Sequence, residues 1–373
     1  MRLRICRVTH ALYPDFIGGH AIFCHELSER QAKAGHRVEI FTARTKSLPK
    51  NQFVNAGYSV TRLDRVWMPW DSLGMYNPVT PALHAAVTEG KWDLVDAHSY
   101  LFWMPALSVK AAVEAGKPAV TTVHGFMALR DWLTNFSQRA YLFSVGAWVL
   151  KNSTRVVCLT KSDAREVTNL GVRRQNISVI PLAVEPDRFK QGEHERIDIL
   201  WVGRMVAEKG LNTLVEAVSL MRRTRRLRVV LVGDGPERNE LVALVRKLKL
   251  TGVITFKFKA GRDEVAELLG EATVFAFPSL KEGLPLALLE AMASRKIVVA
   301  SNIPSIREAL GDAGLYFPPG NPEELAERLE EALDGRQLRK EKGRLARDIV
   351  DERFTWAAIL PRLEQLYSEA LRE

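Results

Sequence analysis

The stretch Ile197-Asp198-Ile199-Leu200-Trp201-Val202-Gly203-Arg204-Met205-Val206-Ala207-Glu208-Lys209-Gly210 decides the fold. Its apolar, β-branched beginning reads as a buried strand. Gly203 and Gly210 frame a turn, and Leu211–Met221 continues at helical spacing. The unit is a restart, because the N-terminal half has already run through such a series. There Arg4–Thr9 is strand-like, and Gly18-Gly19 opens a helix carrying Ile22, Phe23, Leu27 and Ala32, which Gly35 ends. Val38–Thr42, Leu94–Ala97, Ala119–Val123 and Arg155–Leu159 are further strands. After the restart come Arg228–Val232, Val253–Phe258, Thr273–Ala276 and Ile297–Ala300. Strands alternating with helices predict α/β architecture: two Rossmann-like domains, each built on a doubly wound parallel sheet.

With 373 residues the chain is long enough for two cores. The predicted division is an N-terminal domain over 1–182 and a C-terminal domain over 190–354. Between them Pro181-Leu182-Ala183-Val184-Glu185-Pro186-Asp187-Arg188-Phe189 reads as a linker, since its two prolines disfavour regular structure. The last segment, 355–373, is predicted as a helix with Trp356, Ile359, Leu360, Leu363, Leu366 and Tyr367 on one side.

Cys6, Cys24 and Cys158 lie far apart and fit neither a zinc spacing nor a disulfide framework, so a reducing cytoplasm is expected. No run of apolar residues is long enough for a membrane-spanning helix, and Met1–Val8 reads as a first strand rather than a signal peptide. Charge is uneven. Residues 1–192 hold 24 Lys and Arg against 15 Asp and Glu, so the whole net charge of +9 falls in that half. Trp67, Trp70, Trp92, Trp103, Trp132 and Trp148 are there too. This suits an anionic surface or acceptor, such as lipid headgroups; it equally suits a soluble domain with tryptophans in its core.

Open α/β sheets bind ligands beyond the carboxyl ends of their strands, and most polar motifs of this chain follow a predicted strand. Arg204 and Lys209 can hold a diphosphate, one as a planar fork and the other as a point charge. In Glu282-Gly283-Leu284-Pro285-Leu286-Ala287-Leu288-Leu289-Glu290, Gly283 and Pro285 mark a turn and a helix starts at about Leu286. Its first amides suit a phosphate. At ~1.5 Å per helical residue the two carboxylates can stand up to ~12 Å apart, suiting the two ends of a nucleotide-sugar and long for a glycosidase pair.

Gly233-Asp234-Gly235-Pro236-Glu237 is a turn that either lines a nucleotide or only joins strand to helix. Gly18-Gly19 permits close approach of a ligand to the backbone but lacks a full dinucleotide fingerprint. His98 and His124 each follow a strand. His98 reads as structural, whereas His124, before Gly125-Phe126, reads as a donor to a hydroxyl.

In combination these motifs resemble glycosyltransferase family 4, also called glycosyltransferase group 1, of the GT-B type. The resemblance runs through Gly18-Gly19, Ala34-Gly35-His36-Arg37-Val38, His124-Gly125, the linker, Arg204 and Lys209, Gly233–Glu237, Glu282 and Glu290, Pro318-Pro319-Gly320-Asn321-Pro322 and the terminal aromatic helix. It implies two domains facing across a cleft, with segment 355–373 packing back on the first. It also implies retaining, metal-independent hexosyl transfer from a UDP-, GDP- or ADP-sugar, used as substrate with no cofactor, in glycan biosynthesis. The acceptor would be a saccharide; the basic, Trp-bearing N-terminal half suggests a lipid-linked one with peripheral contact to the membrane's cytoplasmic face, the alternative being a soluble acceptor.

The catalytic set implied is His124, Arg204, Lys209 and Glu282. The donor-binding set is Gly18, Gly19, Gly203, Gly233, Gly283, Leu284, Pro285 and Glu290. Arg204 and Lys209 would bind the diphosphate, Glu282 the sugar, Glu290 the ribose, His124 the sugar's C6 hydroxyl, and the Gly19 amide the phosphates. No metal ligands are expected, and there is no D-x-D motif. The chain departs from the family at Pro181-Leu182-Ala183-Val184-Glu185, often Pro-Asn-Gly-Val-Asp, and at Ser301-Asn302-Ile303-Pro304-Ser305, commonly Gly-Gly-x-Pro-Glu.

A nucleotide-sugar 2-epimerase shares the architecture and is the alternative enzyme reading. A nucleic-acid-binding protein, suggested by pI ≈ 9.5, is the remote one. The densest basic cluster, Arg222-Arg223-Thr224-Arg225-Arg226, reads as a solvated helix end, so no nucleic acid is expected as a partner.

Overall fold

A computed structural model describes residues 2–16, 18–44, 48–54, 57–66, 68, 77–125, 139–192, 195–222 and 225–373. The chain divides into two compact units, Met1–Pro181 with Leu360–Glu373, and Leu182–Ile359.

The first unit carries an eight-stranded sheet. Its strands are β1 (Arg4–Thr9), β2 (Arg37–Ala43), β3 (Asn51–Val54), β4 (Tyr58–Leu63), β5 (Leu94–His98), β6 (Ala119–Val123), β7 (Arg155–Cys158) and β8 (Ile177–Val179). The order is β3-β4-β2-β1-β5-β6-β7-β8. The sheet is not wholly parallel as expected: β3 runs antiparallel to β4. Sequence reading passed over both strands. The Gly57 amide bonds the Val54 carbonyl at 2.8 Å, and its φ of 96°, cheap only for glycine, lets the chain double back. The central strands β1, β5 and β6 are buried along nearly their whole length, as a sheet covered on both faces requires.

The second unit carries a six-stranded parallel sheet in the order β11-β10-β9-β12-β13-β14. The strands are β9 (Ile197–Val202), β10 (Val229–Val232), β11 (Ile254–Lys257), β12 (Ala272–Phe277), β13 (Ile297–Ser301) and β14 (Gly314–Phe317). Trp201, Leu214, Val218, Leu231, Val274, Val299 and Leu329 pack into one core on one side of this sheet. The segment Pro181–Phe189, expected to be without regular structure, includes a 3-10 turn at Pro186–Arg188. Leu182, Ala183, Val184 and Phe189 are buried, and the Val184 amide bonds the Phe354 carbonyl at 2.8 Å.

The terminal helix, Trp356–Ala370, buries Trp356, Ile359, Leu363, Leu366 and Tyr367, the face its spacing predicts. Its later part, from Leu360, belongs to the first unit.

Candidate functional site

In the second unit the strand order reverses between β9 and β12, the place where an open α/β sheet leaves a crevice beyond its strand ends. Two loops meet there. The loop after β9 carries Arg204 and ends at Lys209-Gly210, and the loop after β12 carries Ser279 and Glu282. Gly210 has φ 60°, and a Cβ there would stand 2.1 Å from the Pro278 carbonyl oxygen, so only glycine allows this approach. The Leu280 amide completes the join by bonding the Glu208 carbonyl at 2.7 Å.

Lys209 Nζ then reaches Glu282 Oε1 at 2.5 Å, with side-chain exposures of 20% and 10%. Ser279 Oγ donates to the same oxygen at 2.7 Å, and Ser305 Oγ, after β13, donates to the Glu282 backbone carbonyl at 2.9 Å. The structure thus joins a cation and a carboxylate that sequence reading assigned to neighbouring parts of a ligand, the diphosphate and the sugar. Arg204, in the same loop, is exposed.

Gly283 and Leu284 lead to Pro285, the N-cap of helix Leu286–Ala293, and no side chain caps that terminus. Glu290 lies inside the helix at 7% exposure. Its Oε1 is 3.5 Å from Arg262 Nη2, itself on helix Arg262–Glu271. A buried carboxylate with a buried guanidinium beside it is costly to disrupt from either side.

Gly233 has a packing reason to be glycine. Its φ is 127°, and a Cβ would fall 1.8 Å from the Gly203 carbonyl oxygen. The Met205 amide bonds the Asp234 carbonyl at 2.9 Å, so the turn after β10 buttresses the loop that carries Arg204 and Lys209.

Gly18, the N-cap of helix Gly19–Lys33, is different. Its φ of −167° is ordinary extended backbone, and a Cβ would meet nothing within 4 Å. Packing does not explain that glycine.

In the first unit the order reverses between β1 and β5. At the carboxyl ends of the neighbouring strands β1, β5 and β6 stand His10, His98 and His124, with His20 and Cys24 on the helix that follows β1. His98 Nδ1 lies 2.9 Å from His124 Nε2, and His98 Nε2 lies 3.0 Å from Asp96 Oδ2. Arg7 is the Cα partner of Asp96 across β1 and β5; its Nε donates to the same Oδ2 at 2.8 Å. Tyr367 Oη donates to that oxygen too, also at 2.8 Å.

Burial would raise the Asp96 carboxyl, but His98 and Arg7 outweigh it and hold it well below the usual carboxylate range. Burial likewise opposes charge on His98, yet Cys24 and Asp96 together raise it to about 9. His124 is lowered well below the ordinary histidine value by burial and by the neighbouring His98. His20, with its ring 5.7 Å from that of His124, is lowered to about 4, chiefly by burial. His98, which reads as structural in the sequence, is buried and is bonded to the candidate functional histidine. Sequence reading missed Arg7, Asp96 and Tyr367. The only signal was an arginine and an aspartate inside strands otherwise apolar enough to be buried.

Donor atoms of Cys24, His98 and His124 lie within 4.8 Å of one another, the chemistry of a soft-cation set. His98 meets Asp96 and His124 through its ring nitrogens and is also hydrogen-bonded to the Cys24 side chain, so hydrogen bonds join the cluster. All three cysteines are buried and free. Of the tryptophans of the basic half, Trp67, Trp70 and Trp132 lie outside the described residues, Trp92 and Trp103 are half-buried, and Trp148 is 39% exposed. Phe143, close to it in sequence, is 70% exposed. Arg222 caps its helix and donates to the carbonyls of Leu248 and Lys249, a use that solvation did not predict. No helix of the described residues is long and apolar enough to cross a membrane.

The family model of glycosyl transferases group 1 matches residues 184–348, and that of Glycosyltransferase Family 4 matches residues 17–188. Glycogen synthase of Mycobacterium tuberculosis is 26% identical over 399 residues, covering 99% of this chain and 95% of that protein. The MMP alpha-(1->4)-mannosyltransferase of Mycolicibacterium hassiacum is 24% identical, covering 95% of each. Among solved structures, sucrose-phosphate synthase from Thermosynechococcus elongatus aligns with a TM-score of 0.86 at 21% identity, covering 100% of both chains. Anabaena HepE in complex with UDP and glucose aligns at 0.81 and 18%, covering 99% of this chain and 100% of that one. The fold is GT-B.

Proposed function

We propose that this chain, which belongs to the group 1, family 4 glycosyltransferases of GT-B fold, moves a hexosyl group from a nucleotide-diphosphate-sugar to an acceptor hydroxyl with retention of anomeric configuration. The observation that carries the reading is the meeting of Lys209 and Glu282 where β9 and β12 adjoin, beside the uncapped start of helix Leu286–Ala293. A cation and helix amides suit a diphosphate, and a carboxylate suits sugar hydroxyls.

The C1–O bond to the diphosphate breaks, and the acceptor oxygen bonds C1 from the same face. The acceptor proton passes to the departing phosphate. Negative charge grows on the diphosphate as the bond breaks, so Arg204 and Lys209 favour the transition state over the ground state. They take the neutralising role a metal would otherwise have. Glu290 holds the ribose, His124 donates to the sugar, and Gly18-Gly19 offers backbone amides. Relatives named for α-linked products support retention, given an α-linked donor.

The acceptor reading is a lipid-linked or cell-envelope saccharide presented at an anionic surface. The basic N-terminal half and the exposed Phe143 and Trp148 support it. Free buried cysteines suit a cytoplasmic location.

A thermal-shift panel of UDP, GDP, ADP and their sugars, run in chelator on wild type and Arg204→Ala, tests the donor reading. Stabilisation by one nucleotide series, weakened in the variant, is expected; no shift with any of them overturns it. Nucleotide release that needs no acceptor would favour the epimerase. Flotation with anionic vesicles tests the surface contact, and absence of binding at low salt removes it.

A further inference from the structure

His98 engages Nε2 of His124, which leaves Nδ1 for a ligand, and whether Nδ1 carries the proton decides whether the ring donates or accepts there. The first unit contains a chain of groups that bears on this choice. Asp96 Oδ2 lies within hydrogen-bond distance of Arg7 Nε (2.8 Å), Tyr367 Oη (2.8 Å) and His98 Nε2 (3.0 Å). An ionised carboxylate only accepts, so His98 Nε2 must carry a hydrogen. On the far side of the same ring, Nδ1 stands 2.9 Å from His124 Nε2. A single proton occupies that contact, on one nitrogen or the other.

We propose that Tyr367 and Asp96 are positioning residues that act through His98 to place the shared proton on His98 Nδ1, so that His124 accepts at Nε2 and carries its own proton on Nδ1. The inference deepens the transferase reading, in which His124 donates to the sugar, and it rests on that reading for its functional meaning.

Several observations carry it. Cys24 and the Asp96 carboxylate beside His98 favour a cationic ring, whereas His124 has no carboxylate bonded to it among the described residues. The electrostatic directions of the two rings agree, upward for His98 and downward for His124. The geometry is also tightly built. Arg7 and Asp96 are 0% and 1% exposed, His98 is 1% exposed, and Arg7 Nη1 and Nη2 bond Ser28 Oγ and Gln31 Oε1 at 2.5 and 2.6 Å. Ser99, just after His98, holds φ 76°, a conformation costly for a non-glycine residue and the kind of strain that accompanies a fixed site.

Tyr367 brings the far end of the chain into this relay. The helix that carries it is held to the same unit by other contacts. Gln31 Nε2 donates to Glu364 Oε1 at 2.7 Å, His36 Nε2 lies 2.9 Å from Glu364 Oε2, and Arg362 Nη2 donates to the Val179 carbonyl at 2.6 Å. The Tyr367 hydroxyl can therefore be removed without undocking the helix.

The test is nitrogen NMR of the full-length wild-type protein with 15N-labelled histidine and no substrate, assigned with His98→Gln and His124→Gln. The expected result is His98 protonated on both nitrogens and His124 protonated on Nδ1 alone. A His124 proton on Nε2 overturns the proposal. The second arm is Tyr367→Phe. Its helix should stay docked, with an unfolding midpoint close to wild type, while the His98 and His124 nitrogen signals shift and turnover falls about tenfold, the scale on which orienting partners of a functional histidine act. Donor KM should change less than twofold. Unmoved histidine signals and unchanged turnover reject Tyr367 as a positioning residue. The tautomer is read without substrate, so failure of the transferase reading leaves this result standing, and a wrong tautomer in an active transferase rejects only the relay.

Discussion

Lys209 and Glu282, 73 residues apart, meet Nζ to Oε1 at 2.5 Å, and Ser279 shares the same carboxylate oxygen at 2.7 Å. Under the transferase reading proposed above, a diphosphate arriving at this point would find a lysine already aimed by a carboxylate rather than a loose surface cation. Orientation is set before binding, the condition under which a charge contributes most to a transition state.

Lys209→Ala should lower kcat by about 10²–10³, the cost of one oxyanion-type donor, with a smaller change in donor KM. Steady-state kinetics beside a circular dichroism melt check it. Unchanged turnover in a folded variant takes Lys209 out of the reaction.

Glu290→Ala should be costly twice over. It removes the carboxylate read as the ribose ligand, and it takes from the buried Arg262 the acidic partner 3.5 Å away. Unfolding in urea should show a loss of about 3 kcal/mol, as for other broken buried pairs. Arg262→Met placed on top should recover part of that stability without recovering donor binding. Additive losses in the double variant argue that the pair is not coupled.

Two glycines should part company. Gly233→Ala would drive a Cβ to 1.8 Å from the Gly203 carbonyl oxygen at φ 127°. It should cost several kcal/mol, at least the ~1–3 kcal/mol of backbone strain alone. Gly18→Ala meets nothing within 4 Å, so its unfolding midpoint should match wild type. If the Gly18-Gly19 backbone lines the donor, its KM for the donor should rise. An unchanged KM makes that turn a bystander.

The histidine cluster predicts a stability maximum near neutral pH in the first unit. His98, raised from 6.5 to about 9, contributes stability that is complete below 6.5 and is lost as pH climbs to about 9. At about 1.4 kcal/mol per pKa unit the loss is of order 3 kcal/mol. His20, lowered to about 4, acts in the opposite window: the unfolded chain gains its proton below 6.5, so stability falls toward pH 4. His124, also lowered, adds to that acid limb. The groups around His98 are Cys24, Asp96 and His124, with Arg7 and Tyr367 beyond the carboxylate.

Lys296, in the second unit and lowered to about 8, favours folding as pH rises above 8. The alkaline loss should therefore localise to the first unit in hydrogen exchange read peptide by peptide. His98→Gln should flatten that limb, and an identical alkaline profile in the variant refutes the assignment.

By itself the sequence determined the two α/β series. Apolar runs such as Ile197–Val202 and Ala119–Val123, short and rich in β-branched residues, read as largely buried strands, and strand-then-helix alternation argues for a parallel sheet. It also placed the polar motifs at the edge where an open α/β sheet takes its ligands, because polar residues immediately after buried strands lie at the carboxyl edge. It missed β3, β8 and β14, which are short or partly exposed and give no strong period, and also β4, although Tyr58-Ser59-Val60-Thr61 alternates apolar with polar. Only the tertiary structure decided how the polar residues of different elements pair. Lys209 with Glu282, Glu290 with Arg262, and Tyr367 with Asp96 are separated by long stretches of chain. Spacing along a sequence reports which face of an element a residue shares with its neighbours. Partnership across elements depends on strand order and register, which are set by the packing of the whole sheet.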